Sequence, residues 1–121
     1  MANILIVDDS PTEIHVLTSI LEKHGFSVGV ANNGEEGVEK AKAEMPDLIL
    51  MDVVMPGMNG VQAARQISPN PETSKIPIII VSTKDQETDK MWGLRQGAKD
   101  YVTKPAQEKE LITKINSLLG A

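Results

Sequence analysis

The 121-residue chain has no cysteine, which excludes disulfides, thiolate nucleophiles and thiolate metal ligands and permits a reducing compartment. Aromatics are nearly absent as well: one Phe, one Tyr and one Trp. The core must therefore be aliphatic, and each aromatic that does occur raises the question of its purpose. No apolar run exceeds the length of a strand, so no membrane span is expected. There is no excess of basic charge. The net charge is −5 and the lysines and arginines are scattered, so the phosphate attraction behind nucleic-acid affinity is missing and direct DNA binding is not expected. The opening MANILIVDDSP brings acids directly after a short apolar run without a basic leader, unlike a signal peptide. A cytoplasmic location is expected. With 40% hydrophobic residues, the chain can fill one core without staples, and a second domain does not fit.

The apolar residues that are present fall into short blocks. Ile4 to Val7, Leu48 to Met51 and Ile78 to Val81 are continuous rather than alternating, as in strands covered on both faces of a parallel sheet. Ser27 to Ala31 alternates and suits an edge strand, and Tyr101 to Thr103 is a short fifth. Helical patterns separate them. Ser10 and Glu13 form a capping box around Pro11, Ile14, Leu17, Ile20 and Leu21 mark one face, and Gly25 ends the segment. The second helix starts near Asn33 with Glu35 and Glu36 in its first turn and stops before Pro46. The third runs from near Asn59 to Pro69. The fourth opens at Asp85 and uses Met91 and Leu94 as its core face, and the fifth carries Leu111, Ile112, Ile115, Leu118 and Leu119. Strand and helix alternate five times, which predicts an α/β fold with one doubly wound parallel sheet. The stretch SPNPETSK, from Ser68 to Lys75, reads as a surface loop.

The polar residues that follow the buried strands carry the chemistry. Asp8 and Asp9 follow the first, Asp52 the third, Ser82 and Thr83 the fourth, and Lys104 and Pro105 the fifth. In an open parallel sheet all of these lie at the carboxyl edge, where such folds place their ligands. Singly, each acid reads as a solvated strand-end residue or helix cap. Together, three clustered carboxylates repel one another unless a cation neutralises them. Ligands that are all oxygen point to a hard ion, magnesium before calcium. A carboxylate beside such an ion can attack a phosphoryl group. Asp52 suits that role, because Asp8 and Asp9 are adjacent and better placed to hold the ion. Ser82 could hydrogen-bond a phosphoryl oxygen, and Lys104 could pair with it as a point charge.

In order, the segments ILIVDDS, DLILMDVVMPGMNG, IPIIIVST and DYVTKP resemble the receiver domains of two-component response regulators, the CheY-like family, over essentially the whole chain, residues 1–121. The resemblance implies a flavodoxin-like sheet in the order 2-1-3-4-5 with five helices. It implies Asp52 as phosphoacceptor, with magnesium held by Asp8, Asp9, Asp52 and the Val54 backbone carbonyl. Ser82 would be the switch hydroxyl, with Thr83 an open alternative that strand phase disfavours. Lys104 would be the family's lysine, Pro105 would follow a cis peptide, and Tyr101 would be an aromatic that swings inward when Ser82 follows the phosphoryl group. A histidine kinase would be the donor, and a downstream protein would read the face of the fourth helix, fifth strand and fifth helix. A stand-alone monomer that is not an enzyme and signals in trans is expected. VDDSPTE, KDQETDK and WGLRQGAKDYVTKP most resemble the regulators linked to type IV pilus twitching motility.

Other readings differ on definite residues. A phosphatase of the haloacid dehalogenase type would use Asp8 as nucleophile and needs a second Asp two positions later, where Ser10 stands. A flavodoxin-like cofactor carrier would need a hydroxyl-rich loop after the first strand. A binding-only pseudo-receiver would not need the three acids and the lysine. Within the receiver reading, a phosphate sink for a sister regulator is the alternative to an activator. Trp92 lies one position off the Met91 and Leu94 face and is either an interface anchor or a cover for the helix–sheet edge. His15 and His24 have no metal-ligand spacing and read as surface residues.

Overall fold

In the computed structural model, which describes residues 2–53 and 60–120, ten elements alternate along the chain. They are β1 (Asn3–Val7), α1 (Pro11–Lys23), β2 (Ser27–Ala31), α2 (Gly34–Glu44), β3 (Leu48–Met51), α3 (Gly60–Ile67), β4 (Ile78–Ser82), α4 (Glu87–Arg95), β5 (Asp100–Thr103) and α5 (Glu108–Leu119). The five strands are parallel in the order β2-β1-β3-β4-β5, as expected.

The continuous apolar strands are explained by the pleat. Successive side chains point to opposite faces, so Ile4, Ile6, Leu48 and Leu50 join one core with Leu17 and Leu21 of α1 and Leu111 and Ile115 of α5. Leu5, Val7, Ile49 and Met51 join the other with Val38 and Ala41 of α2 and Ala63, Ala64 and Ile67 of α3. Covering both faces leaves only the strand ends for polar chemistry.

Local signals set most boundaries. Asn33 caps α2 by accepting the Glu36 N–H at 2.8 Å, and the α2 C-cap, Met45, lies in the left-handed region at φ 47°. Ser10 caps α1 by accepting the Glu13 N–H at 3.3 Å, but the expected reciprocal bond from Glu13 is replaced: the Ser10 N–H donates to Asp8 Oδ1 at 2.9 Å. The start of the first helix is thereby tied to a site acid.

Three expectations are corrected. The helix expected to open at Asp85 begins at Glu87, with Gln86 as its cap. Its core face is not Met91 and Leu94, which are 52% and 44% exposed; Trp92 is 48% exposed. Gly93 is the buried position instead, and it lets α4 approach Ile80 and Tyr101 closely. The loop after α3 is also more than surface. Thr73 is fully buried and its hydroxyl donates to the Ile67 carbonyl at 2.8 Å, satisfying a free C=O at the end of α3. The third helix's expected start at Asn59 lies outside the described residues.

Candidate phosphoacceptor and metal site

The parallel ladder runs one residue past the strands at the carboxyl edge. The Asp8 N–H donates to the Ala31 carbonyl (3.0 Å), the Asp52 N–H to Val7 (2.9 Å) and the Lys104 N–H to Ser82 (2.7 Å). The backbones of three residues expected in the site are therefore held by the sheet itself, and their side chains converge without help from flexible loops.

Lys104 Nζ lies 3.0 Å from Asp8 Oδ2 and 3.3 Å from Asp52 Oδ1. Asp8 and Asp52 are buried and Asp9 is exposed, yet one carboxylate oxygen from each of the three falls within 4.8 Å of the others. Burial pushes the Asp52 carboxyl above its ordinary range; the Lys104 charge pulls against this and the Asp8 charge adds to it. For Lys104, burial alone would lower the ammonium, but the Asp8 hydrogen bond and the charges of Asp52 and Asp8 outweigh it, so its pKa is raised. The lysine stays charged and holds two acids that would otherwise repel.

Three carboxylates against one ammonium leave a formal charge of −2 at the cluster, which one divalent cation would balance. The donors are all oxygen, and each carboxylate oxygen has lone pairs beyond those engaged by Lys104 and the Ser10 N–H. Exposed Asp9 leaves the cluster open to solvent on one side. These residues fit a hard cation such as magnesium. The Val54 carbonyl expected as a further ligand lies outside the described residues.

Ser82 and Thr83 part company at the end of β4. Ser82 is buried and its Oγ accepts the Lys84 N–H at 3.1 Å, whereas Thr83 is exposed. Tyr101 is 6% exposed, with its ring inward and its hydroxyl donating to the Lys84 carbonyl at 2.8 Å. Burial raises the Tyr101 phenol; the Ser82 contact opposes this and the charges of Asp89, Asp85 and Asp52 reinforce it. The backbone of one residue, Lys84, thus bridges the expected switch hydroxyl and the expected switch aromatic, through its N–H on one side and its carbonyl on the other. Sequence reasoning missed this bridge, because a backbone role leaves no mark on residue type. It also missed Lys114, whose Nζ lies 2.8 Å from the Tyr101 carbonyl and 3.0 Å from Asp100 Oδ1 and ties α5 to β5.

Trp92 is not part of the acid cluster; it lies on the outer side of α4. The Lys104–Pro105 peptide is cis, as expected. His24 makes a contact the sequence did not suggest, its Nε2 lying 2.8 Å from Glu108 Oε2, the oxygen that Lys23 approaches to 3.2 Å. The Glu108 carboxyl is lowered by the His24 hydrogen bond and then by Lys23. Among the described residues, no helix is long and apolar enough to cross a membrane.

Residues 4–116 match the family model of the response regulator receiver domain. The chain is 62% identical to the protein PilH of Pseudomonas aeruginosa over 120 residues, 99% of each chain. A response regulator from Chloroflexus aurantiacus superimposes with a TM-score of 0.94 at 30% identity, over 99% of this chain and 98% of that one. The receiver domain of the sensor histidine kinase PA1611 from Pseudomonas aeruginosa, solved with a magnesium ion coordinated in its active-site cleft, does so with 0.91 at 29% identity, over the same shares.

Proposed function

The chain belongs to the response regulator receiver family, and from that premise we propose that residues 1–121 act as one receiver domain whose Asp52 accepts a phosphoryl group from a histidine kinase. The observation that carries this reading is the Lys104 ammonium between buried Asp8 and Asp52, with Asp9 alongside, at the carboxyl edge of the sheet.

An oxygen of Asp52 forms a bond to phosphorus as the nitrogen–phosphorus bond of a phosphohistidine breaks, leaving an acyl phosphate and a free imidazole. Asp8, Asp9 and Asp52, with the Val54 carbonyl, are the residues that would hold magnesium, which when bound supplies positive charge beside the phosphoryl oxygens. Lys104 favours the ionised form of Asp52 against the effect of burial and afterwards faces the new dianion. Ser82 is the switch hydroxyl. When its Oγ turns to a phosphoryl oxygen, the Lys84 N–H loses its acceptor, and a shift of the Lys84 backbone moves the carbonyl that the Tyr101 hydroxyl donates to. The altered surface is that of α4, β5 and α5, where Trp92 is the exposed anchor for a downstream protein.

The protein on this reading is a monomeric cytoplasmic signalling component whose only chemistry is its own phosphorylation and dephosphorylation. The end-to-end match to PilH supports a role in type IV pilus twitching motility, signalling in trans. The test is incubation with acetyl phosphate and magnesium followed by intact-mass measurement. Wild type should gain one phosphoryl group and Asp52→Asn should gain none. An unmodified wild type, alongside a control receiver that is modified, would refute the reading, as would equal modification of the variant.

A further inference from the structure

Glycine is a poor choice for the interior of a helix, since alanine is favoured there on intrinsic propensity. Gly93 nevertheless sits inside the nine-residue α4 and is its buried position, while Met91, Trp92 and Leu94 around it face outward. Its surroundings supply the reason. A methyl group at Gly93 would lie 2.8 Å from Ile80 Cδ1 and 3.4 Å from Cδ2 and Cε2 of the Tyr101 ring. The struck atom is the free end of the Ile80 side chain, but Ile80 is fully buried on β4 and belongs to the same core as Tyr101, so that end can turn aside only against the neighbours packed around it. The Tyr101 hydroxyl is at the same time bonded to the carbonyl of Lys84, in the loop that leads into α4. The ring is thus enclosed between the helix and the loop that starts it.

We propose that Gly93 is a positioning residue for the Ser82–Tyr101 pair, the missing side chain that allows α4 to close over Tyr101 and keep its ring inward against the Lys84 carbonyl. A methyl group at this position would hold the helix off the sheet and favour the outward ring. The inference rests on the reading of Ser82 and Tyr101 as the responding pair, and the experiment separates the two.

The chain contains one Tyr and one Trp, so their signals need no assignment by mutation. With chelator and no phosphoryl mimic present, Gly93→Ala should weaken the nuclear Overhauser contacts between the Tyr101 ring and Ile80. It should also raise the ring's relaxation by a soluble paramagnetic probe and move the Trp92 emission. Ile80→Val, which removes the atom the methyl strikes, should restore the ring's protection from the probe and the Trp92 emission in the double variant. Gly37→Ala is the control for overpacking: its methyl would strike Val7 at 2.9 Å, but from α2, and it should leave Tyr101 in place. An inward Tyr101 in Gly93→Ala, equal displacement by Gly37→Ala, or no rescue by Ile80→Val would overturn the proposal. In a second arm, beryllofluoride with magnesium is added to wild type. No response there sinks the phosphoacceptor reading, and the first arm still decides the role of Gly93.

Discussion

Lys104→Met removes an ammonium shared by two enclosed carboxylates and leaves a flexible apolar chain of similar reach. The side chains of Lys104, Asp8 and Asp52 are 9%, 2% and 10% exposed, with Nζ 3.0 and 3.3 Å from the two acids. Breaking a buried pair by deleting one partner costs about 3–5 kcal/mol, because the charge left behind is uncompensated. Exposed Asp9 leaves an open side through which water can reach the acids, so the lower end applies: about 3 kcal/mol at pH 7 in chelator. For a domain of this size that is a fall in melting midpoint of roughly 9–15 °C. The pH dependence has a definite sign. Burial already raises the Asp52 carboxyl against the pull of Lys104, and losing the lysine raises it further. A raised carboxyl contributes stability below its unfolded value and loses it as pH climbs through the folded value. The deficit of the variant must therefore shrink between pH 7 and pH 5, and it must also shrink when magnesium replaces the missing charge. Thermal and urea unfolding at both pH values, with chelator and with magnesium, reads all of this. A loss below about 0.5 kcal/mol at pH 7, the range of an ordinary surface substitution, or a deficit that grows as pH falls, would refute the reasoning.

Asp52→Asn removes the carboxyl that burial disfavours, so in chelator it should melt above wild type at pH 7. The advantage should fade as pH falls toward the ordinary value of 3.8, and a lower midpoint at pH 7 would contradict the assignment. Thr73→Val deletes the buried hydroxyl that donates to the Ile67 carbonyl and should cost about 1–2 kcal/mol in urea unfolding. Met45→Gly relieves a left-handed C-cap at a half-exposed position; a gain of about 0.5–1 kcal/mol is expected from the steric cost of Cβ there, and unchanged stability would mean that the Met45 side chain offsets it.

Much of this molecule was legible in the order of its residues, because the signals concerned are local. Short continuous apolar runs identify strands covered on both faces, Ser10 and Asn33 cap their helices, and Pro46 bounds α2. Once a parallel sheet is inferred, Asp8, Asp52, Ser82 and Lys104 must share one edge, since each closes or follows a strand. The failure at α4 is equally physical. Met91 and Leu94 have the spacing of a core face, yet the helix packs through Gly93, and close approach to Ile80 and Tyr101 is a property of the space between elements.

What the sequence determined by itself was the fold class and the set of residues at the carboxyl edge, because apolar periodicity and strand-end position follow from neighbours along the chain. Tertiary structure alone decided how those residues share their charges: which acids Lys104 touches, that Asp8 also takes the Ser10 N–H, and that Ser82 is enclosed while Thr83 is exposed. It alone decided that the Lys84 backbone, through its N–H and its carbonyl, links Ser82 to Tyr101. Contacts between Lys104 and Asp8 span 96 positions, and no local rule sets a distance of a few ångströms across such a separation. Only the register of the parallel strands does.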